Sequence, residues 1–119
     1  MVRGIRGATT AVGNTEPAII EATTELLGRM MLENRLDQGD IAAIFFSTTP
    51  DLDAAFPAKA ARAIGLTETA LFGACELNPP GSIPWCIRVL ILWNTNQPQS
   101  AIHHVYMRGA TALRPEWGR

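Results

Sequence analysis

The segment WCIRVLILWNT, residues 85–95, constrains this chain more than any other, because it reads as a β-strand without a polar face. Alternation along a strand sends Cys86, Arg88, Leu90 and Leu92 to one side of a sheet and Ile87, Val89 and Ile91 to the other. IAAIFFSTT, residues 41–49, is a second apolar run of the same kind, ending in small hydroxyls. Both strands must be covered on two faces. Arg88 is the exception in its segment: a guanidinium crowded by apolar neighbours needs an anion, from the protein or from a ligand.

One cover comes from helices. Residues 2–12 read as a first strand, after which Asn14 or Thr15 can cap a helix whose first turn holds Glu16 and Pro17. Ile19, Ile20, Thr23, Leu26, Leu27, Met30 and Met31 recur at helical spacing and form one stripe against the sheet, the methionines as core filler. FPAKAARAIG predicts a short helix with Pro57 in its first turn and Gly65 as a left-handed cap. Residues 69–76, 85–95 and 101–109 supply three more strands, NPPGSIP between the first two is a stiff loop, and the proline of the tail ALRPEWGR ends regular pairing. The order β-α-β-α-β-β-β predicts an α+β domain, a mixed β-sheet packed against one long and one short helix on one face. The other face then has no cover within the chain, and association of sheets between subunits would supply it. No repeat, low-complexity tract or linker interrupts residues 1–119, so one domain is expected.

A chain of 119 residues buries about two thirds of its unfolded surface, enough for a core. No apolar run approaches the ~20 residues of a membrane span, and MVRGIRGATTAV lacks the apolar centre of a signal peptide, so a cytoplasmic protein is expected. Cys75 and Cys86 fit a reducing compartment and have no metal-ligand spacing; His103 and His104, if on a strand, point to opposite faces. No metal site is expected. Residues 16–53 carry a net charge of −6 within a chain of net −1, and nine of the ten basic residues are arginine. The planar arginine fork suits carboxylates of a small anion, whereas scattered cations and a pI near 6.1 offer no stripe for a nucleic acid.

The candidate chemistry rests on few groups. Arg6, after Ile5 in RGIRG, lies between two glycines that admit close approach, and Arg88 lies in its apolar strand. Glu68, Glu76 and Glu116 are the acids of the basic portion, so Glu76, at a strand end beside the stiff loop, is equally a structural partner of Arg88 and a functional acceptor. Tyr106 can offer a hydroxyl to an anion or bury it satisfied in the core. Lys59 and Arg62 share one helix face, which can equally be a solvated face near Asp51 and Asp53. Ser47 and Ser82 have no nucleophile motif around them, so an enzyme made of these parts holds an anion and stabilises charge developing on it.

Taken together and in order, RGIRGATT, TPDL, FPAKAAR, CIRV, and HHVY followed by LRP resemble the trimeric, AroH-class chorismate mutases over nearly the whole chain. The resemblance implies a homotrimer with a barrel-like sheet core and sites in the clefts between subunits. It implies conversion of chorismate to prephenate, a [3,3] rearrangement on the route to phenylalanine and tyrosine, with no cofactor. In that likeness Arg88 faces the ether oxygen, which gains negative charge as its carbon–oxygen bond breaks. Arg6 binds a substrate carboxylate with help from Tyr106, and Glu76 accepts the ring hydroxyl. Arg62, with Phe56, approaches from the neighbouring subunit, Lys59 of the same motif is a further substrate-binding residue, and Leu113 and Arg114 belong to the tail that closes the mouth. The family often carries cysteine or serine where this chain has Gly73, after Phe72, so a backbone N–H from Gly73, Ala74 or Cys75 is expected to take that contact; Cys75 itself is read first as packing.

Two other classes use similar parts. One is a trimeric imine or enamine deaminase, which hydrolyses its substrate while an interface arginine holds the carboxylate. The other is a trimer that binds such a metabolite without turning it over.

Overall fold

The computed structural model describes residues 1–117. Its elements run β1 (Val2–Thr10), α1 (Glu16–Asn34), β2 (Ile41–Thr48), α2 (Ala58–Ala63), β3 (Ala70–Cys75), β4 (Cys86–Asn94) and β5 (Val105–Tyr106). Short 3-10 turns lie at Gln38–Asp40, Gln99–Ala101, Arg108–Ala112 and Pro115–Trp117. The five strands form one mixed sheet in the order β3-β2-β4-β1-β5, with β4 antiparallel to both neighbours and the outer pairs parallel. The apolar strand β4 is therefore the central one, and the apolar β2 lies next to it.

Thr15 caps α1, its hydroxyl accepting from the Ala18 N–H at 3.2 Å, with Pro17 in the first turn where a missing donor costs nothing. Asn14 serves a different segment. Its Oδ1 accepts from the Asp53 and Ala54 N–H groups, each at 3.0 Å, which fixes the loop after β2. The buried stripe is Ala18, Ile19, Ala22, Thr23, Leu26, Leu27 and Met30, while Ile20 and Met31 are only half-buried. Close approach of α1 to the sheet depends on Gly7, where a Cβ would lie 2.4 Å from Met30 Sδ and 3.2 Å from Leu26 Cδ1. That glycine makes room for a helix, not for a ligand. Gly65, at φ +99°, ends α2 in the left-handed conformation its sequence position implied.

The helix-side face of the sheet is a closed core, with Ile5, Ile44, Phe46, Ile87, Val89, Ile91 and Trp93 buried against α1 and α2. The opposite face is bare and apolar: Phe45, Leu90 and Phe72 are 40%, 36% and 63% exposed, and the two phenylalanine rings lie 6.0 Å apart. Both strands that read as apolar on two sides are so.

The expected strand over 101–109 shrinks to Val105–Tyr106. Side chains take over the pairing along the outer edge of β1: Gln99 accepts from the Gly4 N–H at 3.3 Å and donates to the Gly4 carbonyl at 2.7 Å, and His104 Nδ1 accepts from the Arg6 N–H at 2.9 Å. Each satisfies a backbone group that a longer β5 would have used. His103 and His104 are thus off any strand, His103 being held through its backbone by the Asn34 amide at 2.8 and 2.9 Å. Among the described residues the tail makes no further strand, as its proline implied, and two 3-10 turns after β5 bring Trp117 back against Arg6 of β1.

Candidate functional site

Arg88 sits in β4 opposite Ala8 of β1 and Ser47 of β2, so the backbone beneath it is held by ladders on both sides. Its side chain lies on the bare face, 41% exposed, with Nε 3.5 Å from Glu76 Oε1. Glu76 follows the end of β3 and is anchored by its own N–H, which donates to the Thr48 carbonyl at 2.8 Å. Ser47 also donates its hydroxyl to Glu76 Oε1, so both contacts fall on one carboxylate oxygen. The ion pair is real but open: Arg88 and Glu76 border two clefts of about 340 Å³ each. Neighbouring Cys86 stays a thiol, because burial pushes its pKa up against the opposing pull of Arg88. It does not compete as an anion for that guanidinium.

Arg6 and Tyr106 join Arg88 and Glu76 on one of these clefts, together with Phe45 and Phe72. Tyr106 is 2% exposed and packs with Ala8, Cys86 and Ala110, so its ring belongs to a small core beneath the cleft. The Arg6 guanidinium lies 5.2 Å from the centre of the Trp117 ring, and that of Arg114 lies 3.7 Å from it. Leu113 reaches the other cleft, beside Arg88 and the loop of Pro79 to Ile83, whereas Arg114 lies over Trp117 and pairs with Glu116.

Phe56, Lys59 and Arg62 are elsewhere. They border a separate cavity of about 680 Å³ with Gly73, Ala74 and Cys75, at the β3 edge of the sheet. Lys59 pairs there with Glu16 at 2.6 Å. Asp53 is held by Asn14, and Asp51 accepts from the Trp85 N–H at 2.9 Å. Gly73 has open space where a Cβ would stand. Within one chain the expected site residues therefore fall into two groups, one around Arg88 on the bare face, which Phe72 joins, and one at the β3 edge, with Ala74 bordering both.

Sequence reasoning misses three participants. Ser47, which has no nucleophile motif around it, is a hydrogen-bond partner of Glu76, and only the β2–β4 register places it beside Arg88. His104 and Trp117 surround Arg6 through the edge contact and the folded tail. The sole sequence trace of the tail's role is the apolar Trp117 past the proline.

A mixed sheet with one bare apolar face carries two arginines and a glutamate on an open cleft, a set of groups suited to a small anion. The family model for type I chorismate mutase matches residues 2–117. A chorismate mutase AroH of Thermus thermophilus is 50% identical over 98% of this chain and 96% of its own length. Its counterpart in Bacillus subtilis is 40% identical over 98% and 92%. A solved chorismate mutase from Clostridium thermocellum superposes with a TM-score of 0.90 at 48% identity, covering 92% of this chain and 97% of that one. This chain belongs to the type I chorismate mutase family.

Proposed function

We infer that this protein is a chorismate mutase, an isomerase that converts chorismate to prephenate for aromatic amino acid synthesis. The observation that carries the mechanism is Arg88: a guanidinium on a strand paired on both sides, facing an open cleft with Glu76 and Arg6 beside it. Arg6 takes a substrate carboxylate at one end of that cleft, with Tyr106 at the same group. Glu76 accepts the ring hydroxyl, its Oε1 being occupied by Ser47 and Arg88, which leaves Oε2 for the ligand. With both ends held, the substrate is kept in the folded conformer that brings the bond-forming carbons together.

Carbon–oxygen cleavage runs ahead of carbon–carbon bond formation, so negative charge grows on the ether oxygen only near the transition state. Arg88 meets that charge with a fixed cation, and each ~1.4 kcal/mol of preference for the transition state is worth tenfold in rate. The substrate supplies every electron and atom of the reaction, and the protein supplies position and field.

The active assembly is a homotrimer whose three sheets close into a barrel-like core. Exposed Phe45, Leu90 and Phe72 support it, since an apolar sheet face of this kind calls for cover. The two separated groups of residues support it as well: Phe56, Lys59 and Arg62 of one subunit, with Gly73 and Cys75 beside them, complete the Arg88 cleft of the next. Leu113 and Arg114 border the mouth. Residues 1–119 act as a single domain, in the cytoplasm, with neither nucleic acid nor membrane as partner; among the described residues no helix is long and apolar enough to cross a membrane. Purified protein mixed with chorismate, followed by loss of chorismate absorbance and identification of prephenate, tests this reading. Release of ammonia, or tight binding with background turnover, would replace it with the deaminase or binding-protein alternative.

A further inference from the structure

We propose that His104 is a positioning residue for Arg6: its neutral ring holds the β1 edge and the aromatic platform that together aim the Arg6 guanidinium into the cleft. The inference rests on the assignment of Arg6 to a substrate carboxylate.

Among the described residues, the outer edge of β1 has strand partners only at Gly7 and Ala8. Arg6 is the first residue past that pairing toward the amino terminus, and its N–H is taken by a side chain, His104 Nδ1, at 2.9 Å. An acceptor at Nδ1 requires the neutral tautomer with its proton on Nε2. The same imidazole lies 4.1 Å from the Trp117 ring, centre to centre, with the planes at 39°. Trp117 in turn receives Arg6 and Arg114 over its ring, at 5.2 and 3.7 Å. His104 thus acts on Arg6 twice, directly at the backbone and through Trp117 at the guanidinium. A long arginine has many rotamers, and a cation aimed in advance loses less freedom when the anion arrives.

The charges around the ring act in one direction. Arg6 of β1, Arg114 of the tail and the adjoining His103 all face it, and Glu116, the nearest acid of the tail, pairs with Arg114. Burial first, then these cations, hold the His104 pKa below the ordinary histidine value of 6.5. A protonated ring would point a donor at the Arg6 N–H and add a third cation beside two arginines. The unit is therefore intact at neutral pH and is lost as the pH falls through the lowered pKa.

Two variants of the full-length protein separate this role from generic packing. His104→Asn places Oδ1 near the position of Nδ1, keeping an acceptor that does not charge in acid; His104→Leu keeps bulk without any acceptor. With chorismate as substrate, His104→Leu is expected to raise KM by about fivefold to tenfold with kcat changed much less, the signature of a weakened carboxylate contact. The wild type is expected to show a rise in KM on the acid side, and His104→Asn to keep KM near the wild-type value at neutral pH without that rise. Should Leu fail to fold, the Asn comparison across pH decides alone. A KM unmoved by the Leu variant, or an acid limb of equal position in the wild type and the Asn variant, overturns the proposal. Wild-type protein that binds prephenate in calorimetry without turning over chorismate overturns the functional reading instead, and the same comparison of variants is then made on prephenate affinity.

Discussion

Replacing Arg88 is the sharpest test of how this cleft works, because its cost to rate and its cost to stability should differ widely. For rate, a unit charge about 4 Å from a full oxyanion is worth ~4 kcal/mol at an effective dielectric of ~20, so roughly half a charge on the ether oxygen is worth ~2 kcal/mol. A charge-assisted hydrogen bond to that oxygen adds about 1.5–3 kcal/mol. Arg88→Ala therefore raises the barrier by about 3.5–5 kcal/mol, a fall in kcat of roughly several hundredfold to several thousandfold. For stability, the side chain is 41% exposed and its ion pair with Glu76 is long at 3.5 Å, so the pair contributes on the order of 0–1 kcal/mol. The variant is expected to melt within a few degrees of the wild type while chorismate absorbance stays nearly constant. Arg88→Lys keeps the charge but not the fork or the reach of Nε, and recovers only a small part of the rate. An alanine variant within tenfold of wild-type kcat refutes the electrostatic account. One that unfolds shows the guanidinium to be a structural partner of Glu76.

Other outcomes follow from the same geometry. Glu76→Gln keeps an acceptor and is expected to lower kcat about tenfold to a hundredfold, less than the loss of Arg88, in the same assay with circular dichroism unchanged. Gly7→Ala drives a methyl group against Met30, which is fully buried and has nowhere to swing; a loss of about 1–3 kcal/mol in urea unfolding is expected, and an unchanged midpoint would show that α1 rides up freely. Phe45→Asp together with Phe72→Asp puts charge on the bare face and is expected to leave a folded monomer by light scattering with little turnover. A trimer of full activity from that double variant contradicts the proposed assembly.

Local features of the chain are legible where a short-range rule controls them. Thr15 capping α1, Gly65 closing α2 at φ +99°, and the two-sided apolar character of β2 and β4 each follow from neighbours within a turn or from strand alternation. Arg88 and Glu76 stand out for the same reason, as charges whose own surroundings do not explain them. The fifth strand is shorter than its sequence suggests because its edge partners are side chains: Gln99 and His104 close hydrogen bonds with Gly4 and Arg6, 95 and 98 residues away in the chain. No periodicity records such a bond.

By itself the sequence determined the layers, the two strands that are apolar on both faces, and the presence of a stranded cation in one of them, since burial and alternation act residue by residue. Only the tertiary structure decided who meets that cation. Register put Ser47 and Glu76 beside Arg88, the course of the chain after β2 left Phe56 and Arg62 at the β3 edge, and the folded tail set Trp117 over Arg6. These are contacts between segments far apart in the chain, fixed by the packing of the whole sheet and written in no single stretch of it.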